Sequence, residues 1–103
     1  SQVSVMVGDA AELLLQLGES CAPFDAVFID ADKAGYPRYR DWAAARLAPG
    51  GLLVADNAYL FGHLLDPDAP QSEAMRDFHE GLAEHFDAVC LPTPDGLVVA
   101  RRR

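Results

Sequence analysis

Residues 26–29, Ala-Val-Phe-Ile, form an apolar run that ends abruptly in Asp30, Asp32 and Lys33, and residues 51–57, GLLVADN, repeat the arrangement and end in Asp56 and Asn57. Short continuous apolar runs with polar ends read as strands buried on both faces, the pattern of a parallel sheet. Upstream, residues 3–7 are a further β-rich run closed by Gly8. Asp9 and Glu12 then have capping-box spacing, and Leu13, Leu14 and Leu17 supply the apolar stripe of a helix that Gly18 stops. Pro37 suits the first turn of a second helix, where its missing N–H is not needed, and this helix is expected to run to about Leu47. Tyr39, Trp42, Ala43, Arg46 and Leu47 fall near one face of it, the face expected against the sheet. Ala48, Pro49, Gly50 and Gly51 turn the chain into the next strand.

Strand, helix, strand, helix, strand predicts an α/β fold with parallel pairing and right-handed crossovers. Residues 58–70 lose periodicity and, with Pro67 and Pro70, read as a loop longer than a simple connection needs. Ser72 is expected to cap a helix reaching about His85, with Met75, Phe78 and Leu82 inward. Residues 86–91 and 97–101 read as strands joined by Pro-Thr-Pro-Asp-Gly, a hairpin connector that makes the last pair antiparallel.

Length and charge narrow the function classes. A chain of 103 residues is one domain at most, and its net charge of −8 disfavours nucleic acid and anionic membrane as partners, because phosphate binding needs clustered Lys and Arg. The basic run 101–103 reads as a solvated strand end. No run approaches the roughly 20 apolar residues of a membrane span, and a cytoplasmic protein is expected. Cys21 and Cys90 show no ligand spacing and read as free thiols in a reducing compartment.

Asp30, Asp56 and Asn57 are the sharpest candidate constellation. Carboxylate and amide oxygens are hard donors suited to Mg²⁺, Ca²⁺ or Mn²⁺. The same residues at strand ends also serve as ordinary turn and capping groups. Lys33 reads either as a positioned acid/base or as the counter-charge of neighbouring aspartates. Gly8, Asp9 and Ala10 stand at a helix N-terminus, where exposed amides can hold a ligand and where capping alone also accounts for them. His79 and His85 are expected on a polar helix face, and His63 in the long loop. Tyr36, Tyr39 and Trp42 read as packing residues, with Tyr39 near enough to the strand edge to stack on a flat ligand.

Taken together, FDAVFIDADKAGYPRY, GGLLVADNAYLFGHLLDPD and the preceding VGDA resemble the cation-dependent O-methyltransferases of the catechol and caffeoyl-coenzyme A type. The resemblance covers nearly the whole chain in three ordered segments. It implies a Rossmann-like S-adenosylmethionine-dependent methyltransferase fold, mostly parallel with a terminal antiparallel hairpin, acting on a small phenolic substrate, often as a homodimer. It further implies that Asp30, Asp56 and Asn57 bind the divalent cation and that Lys33 lies beside the hydroxyl that is methylated. Asp30 would also face the methyl donor, Asp32 and Tyr39 would line its pocket, and Gly8, Asp9 and Ala10 would border its adenine ring. Residues 59–66 match a variable substrate-side loop that carries a tryptophan in several relatives, where Phe61 stands here. The family's Gly-rich loop and its ribose-binding acid have no counterpart in these 103 residues. The chain therefore reads as the C-terminal portion of one methyltransferase domain and is expected to bind the donor poorly alone. Two competing readings are a truncated domain that self-associates without catalysis, and a haloacid-dehalogenase-like phosphatase suggested by the Asp-x-Asp of Asp30 and Asp32.

Overall fold

The computed structural model describes residues 2–17 and 23–103. In chain order these form α1 (Ala10–Leu17), β1 (Phe24–Ile29), α2 (Tyr36–Arg46), β2 (Leu47–Ala55), α3 (Ser72–Gly81), β3 (Phe86–Leu91) and β4 (Leu97–Arg102), with 3-10 turns at Lys33–Gly35, Leu60–Gly62 and Leu82–Glu84. Gly18 and Cys21 lie outside the described residues. The strands make one sheet in the order β1-β2-β4-β3. β1 and β2 are parallel, with Ile29 opposite Ala55, whereas β4 is antiparallel to both of its neighbours. The expected terminal hairpin is present, and its second strand is the one that joins the parallel pair.

Helices α2 and α3 cover one face of the sheet. Leu53, Ala55 and Ala100 are completely buried there, against Tyr36, Ala43, Met75 and Phe78. Tyr36 and Phe78 meet edge-on with ring centroids 5.3 Å apart, and burying a side chain of this kind stabilises by about 1.5–3 kcal/mol. Helix α1 is fixed to α2 by the Trp42 indole, whose Nε1–H donates to the Leu14 carbonyl at 3.2 Å. Among the described residues no element covers the opposite face, where Phe28 is 64% and Val89 60% exposed.

That bare face corrects the expectation that β1 is buried on both sides. β1 is an edge strand here, and Ala26 and Phe28 point to the uncovered face, so an apolar run records what a strand can bury rather than what these residues cover. Residues 3–7 likewise form no strand, and Val5 and Val7 are 84% and 92% exposed. β-propensity yields a strand only where a neighbouring strand accepts its hydrogen bonds, and the sheet of the described residues does not extend to this segment.

Helix α3 also departs from expectation at its start. Gln71, in the left-handed region at φ +68°, precedes the helix, and Ser72 is its first residue, buried rather than capping. At the other end the α-helix passes at Gly81 into the 3-10 turn that reaches Glu84, near the expected end, and the Arg40 guanidinium donates to the carbonyls of Asp77 (2.6 Å) and Phe78 (3.3 Å). A β-carbon at 81 would lie 2.2 Å from Arg40 Nη1, so any larger residue there must displace the guanidinium. The terminal arginines are not merely solvated. Arg102 Nε donates to the Ala44 carbonyl at 2.8 Å and Arg103 Nη1 to the Phe86 carbonyl at 2.8 Å, so the strand end satisfies one carbonyl in the last turn of α2 and one at the start of β3.

Candidate functional site

Parallel pairing of Ile29 with Ala55 makes Asp30 and Asp56 neighbours at the carboxyl edge of the sheet. The join is tight, since the Asp56 backbone N–H donates to the Ile29 carbonyl at 3.0 Å. In open α/β sheets this edge is where ligands bind. Asn57 follows in the left-handed region at φ +60°, a conformation Asn tolerates better than most residues. Its backbone N–H donates to Asp56 Oδ1 at 2.7 Å, and its side-chain Nδ2 donates to Asp95 Oδ2 at 3.3 Å.

Asp95 belongs to the β3–β4 turn, where its sequence context indicates only turn chemistry. The turn is clasped to the site by two backbone bonds, from Ala58 N–H to the Gly96 carbonyl at 2.9 Å and from Tyr59 N–H to the Asp95 carbonyl at 2.8 Å. With the amide nitrogen of Asn57 engaged by a carboxylate, its oxygen is the atom left to accept. Nothing in the local spacing signals this contact, because Asn57 and Asp95 are 38 residues apart.

Lys33 opens the 3-10 turn after β1 with its side chain only 11% exposed. Its Nζ donates to the Ala31 carbonyl at 2.9 Å and to the Tyr36 hydroxyl at 3.1 Å, and stands 3.6 Å from Asp30 Oδ1. Tyr36, fully buried, donates its own proton to the Asp56 carbonyl at 2.6 Å. Burial pushes its phenol above the ordinary tyrosine range, partly opposed by Lys33. Lys33 is thus both the counter-charge of Asp30 and a side chain held in place at the strand ends.

The structure joins a second group of expected residues. The Tyr39 hydroxyl donates to the Asp32 carboxylate. Burial first, and then this carboxylate, push the Tyr39 phenol up to about 12. A cavity of about 340 Å³ is lined by Ala10, Leu13, Ile29, Asp30, Tyr39 and Trp42 among others, and a neighbouring one of about 360 Å³ by Asp9, Asp32 and Tyr39 among others. Ala10 and Asp30 therefore face one apolar hollow. Asp9 caps α1, accepting from the Glu12 N–H at 3.2 Å, and Gly8 does not line the hollow. His63 is exposed and pairs with Asp66 at 3.9 Å. His79, expected in solvent, is half-buried with Nε2 2.6 Å from the Ala58 carbonyl, so it ties α3 to the loop that follows Asn57.

Among the described residues no three His, Cys, Asp or Glu side chains form a ready metal cage. The set at the strand ends is two carboxylates and one carboxamide, all oxygen donors. Such a partial shell suits a hard cation that keeps open positions, and does not suit zinc or copper.

This constellation can be set beside known proteins. The O-methyltransferase family profile matches residues 1–103. The chain belongs to the O-methyltransferase family. It is 44% identical over 82 residues to a catechol O-methyltransferase of Niastella koreensis, covering 77% of this chain and 37% of that protein. A catechol O-methyltransferase of Mycobacterium tuberculosis is 36% identical over 95 residues, 89% of this chain and 42% of that one. The crystal structure of the Bacillus cereus O-methyltransferase in complex with SAH superposes with a TM-score of 0.85 at 33% identity, over 93% of this chain and 48% of that chain. The chain thus spans less than half the length of each of these relatives. Its α/β architecture with an antiparallel hairpin is that of the S-adenosylmethionine-dependent O-methyltransferases.

Proposed function

We propose that the protein carrying this chain is a cation- and S-adenosylmethionine-dependent O-methyltransferase acting on a catechol-like or phenolic hydroxyl, with the chain forming the C-terminal portion of its domain. The observation that carries the reading is the juxtaposition of Asp30, Lys33, Asp56 and Asn57 at the ends of two paired parallel strands. Their oxygen-donor chemistry fits a hard divalent cation, which Asp30, Asp56 and Asn57 would hold. The apolar hollow lined by Ala10, Ile29 and Tyr39 fits a flat ring, so this hollow, with Asp32 at its margin, would take the donor's adenosyl part. When bound, the cation supplies Lewis acidity that favours the ionised hydroxyl, and the cosubstrate supplies an electrophilic methyl on sulfonium sulfur.

The chain's own residues do the rest. Asp30 and Asp56 bring negative charge to one edge of the sheet, and Asn57 offers an amide oxygen whose orientation Asp95 supports. Lys33, with its Nζ anchored at the Ala31 carbonyl and the Tyr36 hydroxyl, presents positive charge where an oxyanion would develop. The phenolic proton leaves to solvent, and the oxygen gains the methyl group as the carbon–sulfur bond breaks. Orientation is the main gain, because an oxygen held in line with the methyl converts a bimolecular collision into a positioned step.

Because the chain spans less than half of these relatives, the test uses the whole protein. Transfer of a labelled methyl group from S-adenosylmethionine to catechol is measured with Mg²⁺ and with EDTA, for wild type and for Asp56→Ala and Asn57→Ala, alongside Mn²⁺ binding by calorimetry. Chelation and Asp56→Ala are each expected to cost on the order of a hundredfold in rate. Unchanged transfer in both conditions would refute the reading. The same reading carries a homodimer in the cytoplasm, and sedimentation velocity of the whole protein checks the oligomeric state.

A further inference from the structure

We infer that Tyr36 is a positioning residue of the proposed site, its buried hydroxyl pinning the Lys33 ammonium to the end of β2 so that the lysine acts from one fixed place. This rests on the methyl-transfer reading of Lys33 and adds a role for a residue whose sequence context indicates only packing. Lysine has a long stem with about 2 kcal/mol of rotamer entropy, so a defined position needs partners that hold it. Of its contacts, the Ala31 carbonyl lies two residues away on the same loop and travels with Lys33. Asp30, at 3.6 Å, is beyond hydrogen-bond range and more than half exposed.

Among the described residues, the Tyr36 hydroxyl is the group that relates Lys33 to the second strand. It accepts from Lys33 Nζ at 3.1 Å and donates to the Asp56 carbonyl at 2.6 Å, with the Ile29 carbonyl at 3.4 Å beside it. One oxygen thereby touches the ends of both strands and the lysine between them. The ring behind it is completely buried and edge-on to Phe78, and it also underlies Nζ at 4.8 Å from its centroid. The hydroxyl therefore transmits the rigidity of the α2–α3 core to Lys33.

Phenylalanine at 36 keeps the ring and its packing and removes only the hydroxyl. In the whole protein, Tyr36→Phe is expected to lower kcat about tenfold while KM for acceptor and donor stays within about twofold, the pattern of lost positioning rather than lost binding. A second readout is independent of turnover. The Lys33 ammonium is expected to give a resolved proton–nitrogen NMR signal in wild type, because its hydrogen bonds slow proton exchange, and Tyr36→Phe is expected to erase it. Lys33→Ala separates this inference from its parent. Metal-dependent transfer that survives Lys33→Ala intact overturns the role given to the lysine and this inference with it. A large loss in Lys33→Ala with an unchanged kcat in Tyr36→Phe overturns the Tyr36 role alone. The double variant is expected to be no slower than Lys33→Ala, since the hydroxyl acts through the lysine. A merely structural tyrosine would lower the melting temperature and leave both kcat and the ammonium signal in place. Should Tyr36→Phe not fold, the wild-type spectrum decides, and absence of the Lys33 signal overturns the inference.

Discussion

Gly96 is the position at which a single methyl group should most clearly report how the β3–β4 turn is seated on the site. Its φ of +75° is left-handed, and a β-carbon added there would lie 2.5, 2.6 and 2.8 Å from Cγ, Cδ1 and Cδ2 of the Tyr59 ring. Ordinary contact begins near 3.4 Å, so the ring must retreat by most of an ångström. The Tyr59 backbone is held by its N–H bond to the Asp95 carbonyl at 2.8 Å, so the adjustment falls on the ring itself. The backbone conformation alone costs alanine about 1–2 kcal/mol, and overpacking of this kind adds about 1–3 kcal/mol. Gly96→Ala is therefore expected to destabilise by ~2–5 kcal/mol in urea unfolding followed by far-UV circular dichroism, with an unchanged m-value. Gly62→Ala is the control, since Gly62 has a similar φ of +88° with open space where the β-carbon would go. It should show the conformational part only, about 1–2 kcal/mol. In a Tyr59→Ala background the cost of Gly96→Ala should fall toward that same value. Equal costs for Gly96→Ala and Gly62→Ala, to within about 0.5 kcal/mol, would show that the turn does not press on Tyr59 and would remove the clasp from the account of the site.

Two further outcomes follow from the side-chain contacts. Burial and the Asp32 carboxylate push the folded Tyr39 phenol up to about 12, above the roughly 10 of an unfolded tyrosine. The fold thus favours the neutral form, and this contribution to stability is intact below about pH 10 and lost as pH rises toward 12. Phenolate absorbance should show one tyrosine titrating late, and Asp32→Asn should bring that titration down. Arg102→Met keeps the stem but removes donors to the Ala44 and His85 carbonyls, and is expected to cost about 1–2 kcal/mol in the same urea assay. Arg101→Met, on the exposed neighbour, should stay within about 0.5 kcal/mol, and equal effects at the two sites would contradict the assigned carbonyl contacts.

Much of the candidate site was legible in the chain because its residues are local to strand ends. Apolar runs closed by Asp30 and by Asp56-Asn57 announce two strands and their polar termini, and polarity at a terminus is a one-dimensional signal. The spacing of Asp9 and Glu12, the placement of Pro37 and the Pro-rich turn before β4 are equally local, and the elements they mark are present. Failures came where a local pattern needs a distant partner. Residues 3–7 have the composition of a strand and no adjacent strand among the described residues, and Phe28 has the composition of a buried residue and no layer above it. His79, Asp95, Arg40 and Tyr36 owe their roles to atoms 21 to 38 residues away or, for Tyr36, to a carbonyl on the neighbouring strand.

The sequence by itself determined which side chains end the strands and that they offer oxygen donors there, since side-chain chemistry and apolar periodicity belong to residues. Only the tertiary structure decided that β4 inserts beside β2, that its turn reaches back to Asn57, and that a core tyrosine joins Lys33 to Asp56. Those relations depend on hydrogen bonds whose partners meet only when the sheet assembles. A tyrosine hydroxyl has the same composition whether it faces solvent or closes the gap between two strand ends.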